Sequence, residues 1–266
     1  MLTVERKRKP VFVEERHQLI LDILRETGKV SVESLTEEFA VSAPTIRADL
    51  TALEQRGRLR RTHGGAILRE HVAVEAPLAV KEQERRDEKR RIARVAASRV
   101  RDHETILLDA GTTVHEIARV LRERQGLTIV TNSLPSAFEF ADSPGANVLL
   151  IGGQLHAERQ ATLGPLATEF LRDIHVDRAF IGVNGVSEDA GWTVVDFEAV
   201  QLKRAMMSRA RDVIVVADHS KLGEATFASI GPLTAAQALV TDTPIEQPHL
   251  RTALEAAGVE IIQCSS

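Results

Sequence analysis

"VSAPTIRADL", residues 41–50, has the marks of a helix that starts abruptly and keeps one side free. Ser42 is suited to cap the start, because its hydroxyl accepts a hydrogen bond from a first-turn N–H. Pro44 fits the first turn, where its missing N–H costs nothing. Carried on to Leu53, the helix gathers Ile46, Leu50 and Leu53 on one side, which packs inward. The opposite side is then Pro44, Ala48, Thr51 and Gln55, with Thr45 and Arg47 on its flanks. Such a helix suits a DNA groove, and Ser42, Thr45 and Arg47 occupy the turns that reach base edges. Ala48 can meet a thymine methyl but cannot make the bidentate guanine contact open to arginine.

Upstream, "FVEERHQLILDILRETG" predicts a helix whose His17, Ile20, Ile23 and Leu24 share a face and which Gly28 terminates. "SVESLTEEFA" predicts a second helix, capped by Ser31, with Leu35, Phe39 and Ala40 as a buried stripe and Val41 in the turn that follows. Downstream, Gly57 ends the third helix. In "RLRRTHGGAIL" two strand-like pieces then flank a Gly64-Gly65 turn. Three helices and a basic hairpin describe a winged helix-turn-helix over residues 11–68. The whole chain carries a formal charge of −4, so a nucleic-acid surface must be local. Arg56, Arg58, Arg60, Arg61, His63 and Arg69 supply it, with no acidic residue among positions 56–69. This charge suits phosphate contact, which gives affinity and salt dependence rather than sequence information. The expected DNA-contact set is Ser42, Thr45, Arg47, Ala48 and Thr51 on the helix, with Arg58, Arg60, Arg61 and His63 on the hairpin.

Residues 69–102 are highly charged, as in "KEQERRDEKRRIARVAASRVRDHE", and read as a solvated connecting helix, since acidic residues nearly offset the basic ones. From residue 103 to 266 the pattern changes. "TILLD", "LTIVTN", "NVLLIGG", "RAFIGVNG", "DVIVVAD", "ALVTD" and "VEIIQ" have the form of buried parallel strands, and helical stretches at 114–124, 198–210 and 246–257 lie between some of them. The fold class is α/β, a mainly parallel, doubly wound sheet behind the winged helix-turn-helix.

Ligands of such sheets collect at the strand ends, and several ends here carry polar or glycine clusters. "LLDAGTTVHEIA" runs from strand into helix, so Gly111, Thr112 and Thr113 offer N–H and hydroxyl groups at a helix N-terminus, a setting for phosphate. "TNS" (131–133), "GG" (152–153), "GVNG" (182–185) and "DHSK" (218–221) follow other strands. Lys203 and Lys221 can neutralise a phosphate, and Asp109, Asn132 and Glu198 can hold sugar hydroxyls. The single cysteine, Cys264, excludes an internal disulfide and a thiolate metal cluster. No apolar run is long enough to cross a bilayer, and the start lacks the apolar core of a signal peptide. A cytoplasmic protein without membrane contact is therefore expected. With 3% aromatic residues, stacking of single-stranded bases is disfavoured. Neither GxGxxG nor GxxxxGK[ST] follows a strand, which removes the usual nucleotide fingerprints. No cofactor, metal ligand or catalytic residue is assigned.

The chain resembles the DeoR family of bacterial transcriptional regulators. Arg16, Ile20, Leu24, Ser42, Thr45, Ile46, Arg47, Asp49, Leu50 and the "RTHGGA" of residues 61–66 carry that resemblance at the N-terminus, with Ala48 where a second basic residue is usual. "LDAGTT", "VTNS", "IGG", "DRAFIGVNGV", "GWTVVDFEAVQLKRAM" and "VVADHSKLG" carry it through the sensor domain. The resemblance implies a fold similar to ribose-5-phosphate isomerase-type enzymes that binds a phosphorylated sugar without turnover. It implies a pocket of Asp109, Gly111, Thr112, Thr113, Asn132, Ser133, Gly152, Gly153, Asn184, Gly185, Glu198, Lys203, Asp218 and Lys221. The expected function is that of a repressor of a carbohydrate operon, binding double-stranded operator DNA as a dimer or tetramer. The alternative is a sugar-phosphate isomerase with an attached DNA-binding domain, using Glu198 or Asp109 as base and Lys203 or Lys221 as electrophile.

Overall fold

The computed structural model describes residues 13–27, 29–55, 59–62, 64–68, 78–143 and 145–264. The chain divides into two units, Met1–Ala76 and Pro77–Ser266.

In the first unit, α1 (Val13–Thr27) leads through β1 (Lys29–Ser31) into α2 (Val32–Phe39), then α3 (Ala43–Gln55), β2 (Leu59–Thr62) and β3 (Gly65–Leu68). Ile20, Leu24, Leu35, Ile46, Leu50, Leu53 and Leu59 form its core, as the helical spacing requires. Ser31 caps α2 in a reciprocal box with Ser34. The strands form an antiparallel sheet in the order β1-β3-β2. β1 is an addition to the expected hairpin, a three-residue piece too short to leave a pattern. It explains Gly65, where a Cβ would lie 1.9 Å from the Val30 carbonyl oxygen. Ala40 is not part of the buried stripe. It is exposed and closes α2 in the left-handed conformation (φ 52°). Gly28, Arg56, Gly57, Arg58, His63 and Arg69 lie outside the described residues.

The second unit begins with α4 (Leu78–Gln83) and α5 (Arg86–Ser98), followed by β4 (Thr105–Leu108), α6 (Thr112–Leu121), β5 (Thr128–Thr131), α7 (Leu134–Phe138) and β6 (Asn147–Leu150). Next come β7 (Gln154–His156), β8 (Ala161–Leu163), α8 (Pro165–Phe170), β9 (Val176–Gly182), β10 (Gly185–Ser187), β11 (Gly191–Val194) and α9 (Phe197–Ser208). β12 (Ala210–Val216), a 3-10 turn at His219–Lys221, β13 (Ala228–Gly231), β14 (Ala238–Thr241), α10 (Pro248–Ala256) and β15 (Glu260–Gln263) complete it. The seven apolar runs of the sequence form one seven-stranded sheet, ordered β15-β14-β12-β9-β4-β5-β6. Every neighbouring pair in it is parallel.

One core, with Trp192, Met206 and Leu254, covers one face, and a second, with Ile92, Ile117 and Leu121, covers the other. α5 belongs to this second core. Ile92, Ala93, Ala96 and Ala97 are buried against the sheet, so the segment expected to be a solvated connector is core helix from α5 onward. Its apolar face is largely alanine, which the surrounding charges disguise. After β6 the chain returns to lay β9 on the far side of β4. The strand order therefore reverses between β4 and β9, and a crevice for ligand opens at that point in such sheets.

Candidate functional site

The first candidate surface is the outer side of α3. The Ser42 hydroxyl caps it, accepting the Thr45 N–H at 3.4 Å and lying 2.8 Å from the Thr45 hydroxyl. Arg47 and Ala48 are exposed. Thr51 is half-buried; its hydroxyl donates to the Arg47 carbonyl at 2.7 Å and accepts from Nη1 of Arg61 at 2.9 Å. The wing thus lays a cation along the outer side of the helix. Arg60 pairs through its backbone with Ile67. Behind this surface Asp49 is buried, held by Arg16 Nε at 2.6 Å and Nη2 at 3.1 Å, with His17 Nε2 also at 3.1 Å. His17, read as part of an apolar face, is in fact paired with this carboxylate.

The second is the strand-end crevice of the C-terminal unit. Asp109, next after β4, is 2% exposed and accepts the Gly182 N–H at 3.0 Å and an ammonium hydrogen from Lys203. Lys203 also donates to the Gly182 carbonyl at 2.9 Å. The pair bridges the ends of β4 and β9 at the order reversal. Burial pushes the Asp109 carboxyl above its ordinary range, against the pull of the Lys203 charge. Next to it Gly111 (φ 152°) stands as N-cap of α6 without a capping side chain. The first N–H groups of that helix therefore have no side-chain cap.

β5 ends on the buried Asn132. Its amide nitrogen donates to the Thr162 carbonyl at 3.0 Å, while its Oδ1 has no partner among the described residues. Ser133 caps α7, accepting the Ser136 N–H at 3.2 Å. Past β9, Asn184 accepts the Val195 N–H at 3.2 Å. Asp218, beyond β12, accepts from the Ser220 N–H at 3.1 Å and the Ser220 hydroxyl at 2.5 Å, and Lys221 follows one turn on. Burial alone would raise the Asp218 carboxyl, but Ser220 and the charges of Lys221 and Arg85 hold it below its usual range.

Two of the expected glycines have structural explanations. A Cβ on Gly153 would lie 2.5 Å from the Leu163 carbonyl oxygen, and one on Gly185 2.4 Å from that of Glu224. Gly152 is exposed beside Gly153. Glu198 is exposed at the start of α9, with Oε2 3.4 Å from His156 Nε2. Two residues that the sequence reading passed over stand beside Asp218. Arg85 places Nε 3.6 Å from its Oδ1, and buried Lys89 is close enough to feel its charge. Both sit in a run dense in charges of both signs, so nothing in the sequence singled them out. Asp109 and Lys203, one of the two bases and one of the two electrophiles of the isomerase alternative, are tied to each other. No helix is long and apolar enough to cross a membrane, and no cluster suited to a metal ion occurs, among the described residues.

Residues 16–72 match the DeoR-like helix-turn-helix domain and residues 84–243 the DeoR C terminal sensor domain. The HTH-type transcriptional repressor GlcR of Bacillus subtilis is 36% identical over 253 residues, 95% of this chain and 96% of that one. The glycerol-3-phosphate regulon repressor of Escherichia coli is 33% identical over 230 residues, 86% of this chain and 91% of that one. Among solved structures, ribose 5-phosphate isomerase A of Methanocaldococcus jannaschii overlaps loosely, with a TM-score of 0.39 and 20% identity across 52% of this chain and 54% of that one. With a DeoR-like helix-turn-helix domain in one unit and the DeoR sensor domain in the other, the chain belongs to the DeoR family of DNA-binding transcriptional regulators.

Proposed function

We propose that the protein represses a carbohydrate-metabolism operon in the cytoplasm and is released from, or directed to, its operator by a phosphorylated sugar or related metabolite. The observation that carries this is the uncapped start of α6 beside the Asp109–Lys203 pair, at the reversal of strand order. Backbone N–H groups at Thr112 and Thr113 take the phosphate there, with Lys221 as the nearby cation. The orphaned Asn132 Oδ1 accepts a sugar hydroxyl, Asp109 and Asn184 line the same crevice, and Ser133 and Asp218 shape it. Repressors related to this one include one named for glycerol 3-phosphate, which puts small phosphorylated polyols among the first ligands to try.

In the first unit, Arg47, Thr45, Ser42, Ala48 and Thr51 read base edges, while Arg58, Arg60, Arg61 and His63 hold phosphates. A dimer or tetramer supplies paired reading helices, since one helix covers too few base pairs. The test is a thermal-shift screen of the full chain against sugar and polyol phosphates and their unphosphorylated parents. A true effector at a hundredfold excess over its Kd adds about 2.7 kcal/mol. Stabilisation by the parents as strong as by the phosphates sinks the phosphate assignment.

A further inference from the structure

Resting on the sugar-phosphate reading above, the next question is how occupancy of the crevice reaches the DNA-binding unit. α4 is the first element after the boundary at Pro77, and its polar contacts fall on loops at the crevice end of the sheet. The Leu78 N–H donates to the Glu158 carbonyl at 3.3 Å, in the turn between β7 and β8. Glu82 Oε1 lies 3.7 Å from His115 Nδ1, near the start of α6. At the far end of α4, Arg85 places Nε 3.6 Å from Asp218 Oδ1. Lys89, from α5, closes this end by donating to the carbonyls of Glu84, at 2.6 Å, and Lys81.

Arg85 itself adopts the left-handed conformation (φ 49°, ψ 44°). A residue with a Cβ pays for that conformation, and glycine or asparagine would take it more easily. Holding an arginine there gives the side chain a use. Its side chain is 36% exposed and also lies 4.0 Å from Glu84 Oε2, whereas Asp218 is buried and has two hydrogen bonds from Ser220 that do not involve Arg85. A phosphate offers a guanidinium two charge-assisted hydrogen bonds, a stronger attachment than one carboxylate oxygen at 3.6 Å.

We propose that Arg85 is the coupling residue between crevice and DNA-binding unit. Its hold on Asp218 keeps α4 seated, and an anion bound beside Lys221 draws the guanidinium away and loosens the segment through which the chain enters the sensor. The asparagine variant Arg85→Asn removes the guanidinium while suiting the left-handed turn. In hydrogen exchange on the full chain without added ligand, amides 78–84 should exchange at least about fivefold faster in R85N than in wild type, the scale of a lost local contact. Equal exchange overturns the proposal, and this arm needs no ligand.

A second arm uses the sugar phosphate that stabilises the wild type in the screen and a duplex selected by the wild type from random sequence. The wild-type ratio of duplex Kd with and without that compound should fall in the range of roughly 5–150-fold. In R85N, with the compound at a concentration that saturates the variant, it should collapse to within about twofold of unity, and the duplex Kd without compound should move to the liganded wild-type value. An unchanged ratio, or a ligand-free duplex Kd in R85N equal to that of wild type, overturns the proposal. Failure of every sugar phosphate to bind wild type defeats the effector reading, and the exchange arm still decides whether Arg85 seats α4.

Discussion

Each unit buries an ion pair close to its functional surface, and the two are built differently. In the DNA-binding unit, Asp49 follows Ala48 on α3 and takes a two-point contact from Arg16 plus His17. All its partners stand on α1, so the pair fixes one helix against another. In the sensor, Asp109 takes the Lys203 ammonium from α9 and a backbone N–H from the end of β9, across the opening where ligand is proposed to sit. A guanidinium fork is directional and holds an angle, while an ammonium is a point charge that can be redirected. The Asp109 carboxyl is also pushed up by burial against its partner. The first pair is a brace, and the second, on the function proposed, keeps charge poised where ligand binds.

The harshest way to break this comparison is to remove one member of each pair. Asp49→Ala strands a buried guanidinium and Lys203→Met a buried carboxylate, and each should cost its unit about 3–5 kcal/mol. Trp192, the one tryptophan, lies in the sensor core, so its fluorescence reports that unit. Urea unfolding should show Lys203→Met shifting the Trp192 transition, with Asp49→Ala shifting only the far-UV circular dichroism of the other unit. If Asp49→Ala moves the Trp192 transition equally, the units unfold together and the comparison is void.

A sharper version removes both members. Replacing a buried pair by apolar residues of similar volume is often neutral for stability. Arg16→Met with Asp49→Leu should therefore fold and keep duplex affinity within about threefold, while Asp109→Leu with Lys203→Met should fold and lose sugar-phosphate binding by about tenfold or more, the scale of a lost charged hydrogen bond. Isothermal titration of both double variants decides it. Retained sugar-phosphate affinity in the second makes its pair a brace like the first.

The main outline was legible because it rests on periodicity. Seven apolar runs became the seven sheet strands, and Ile46, Leu50 and Leu53 turned inward at helical spacing. What escaped was whatever depends on distant partners or very short pieces. β1, β7, β8 and β10 have three residues each, too few to alternate visibly. His17 shared its helix face correctly, yet Asp49 stands 32 residues away. Asp109, named from its strand-end position, and Lys203, named as a cation for phosphate, are 94 residues apart, and only the fold shows them joined. Arg85 was hidden among the many charges of both signs around it, and Ala93, Ala96 and Ala97 by small size within a charged helix.

The smallest effect separates the units by acidity. In the sensor, burial alone would raise the carboxyls of Asp218 and Glu139. Ser220, Lys221 and Arg85 hold the first below its usual range, and Arg119 and His115 hold the second. A carboxyl whose folded pKa is depressed gives stability that is present above its unfolded value, near pH 4, and lost as pH falls through the folded value. The urea midpoint read by Trp192 should therefore drop as pH is lowered below about 4. Asp218→Asn cannot take up that proton, so its midpoint should start lower at neutral pH and fall less steeply. The same flattening in Arg85→Asn would tie the acid response to the α4 contact. A slope unchanged by Asp218→Asn would assign the response to Glu139 and its partners on α6, leaving Asp218 an anchor for Ser220 alone.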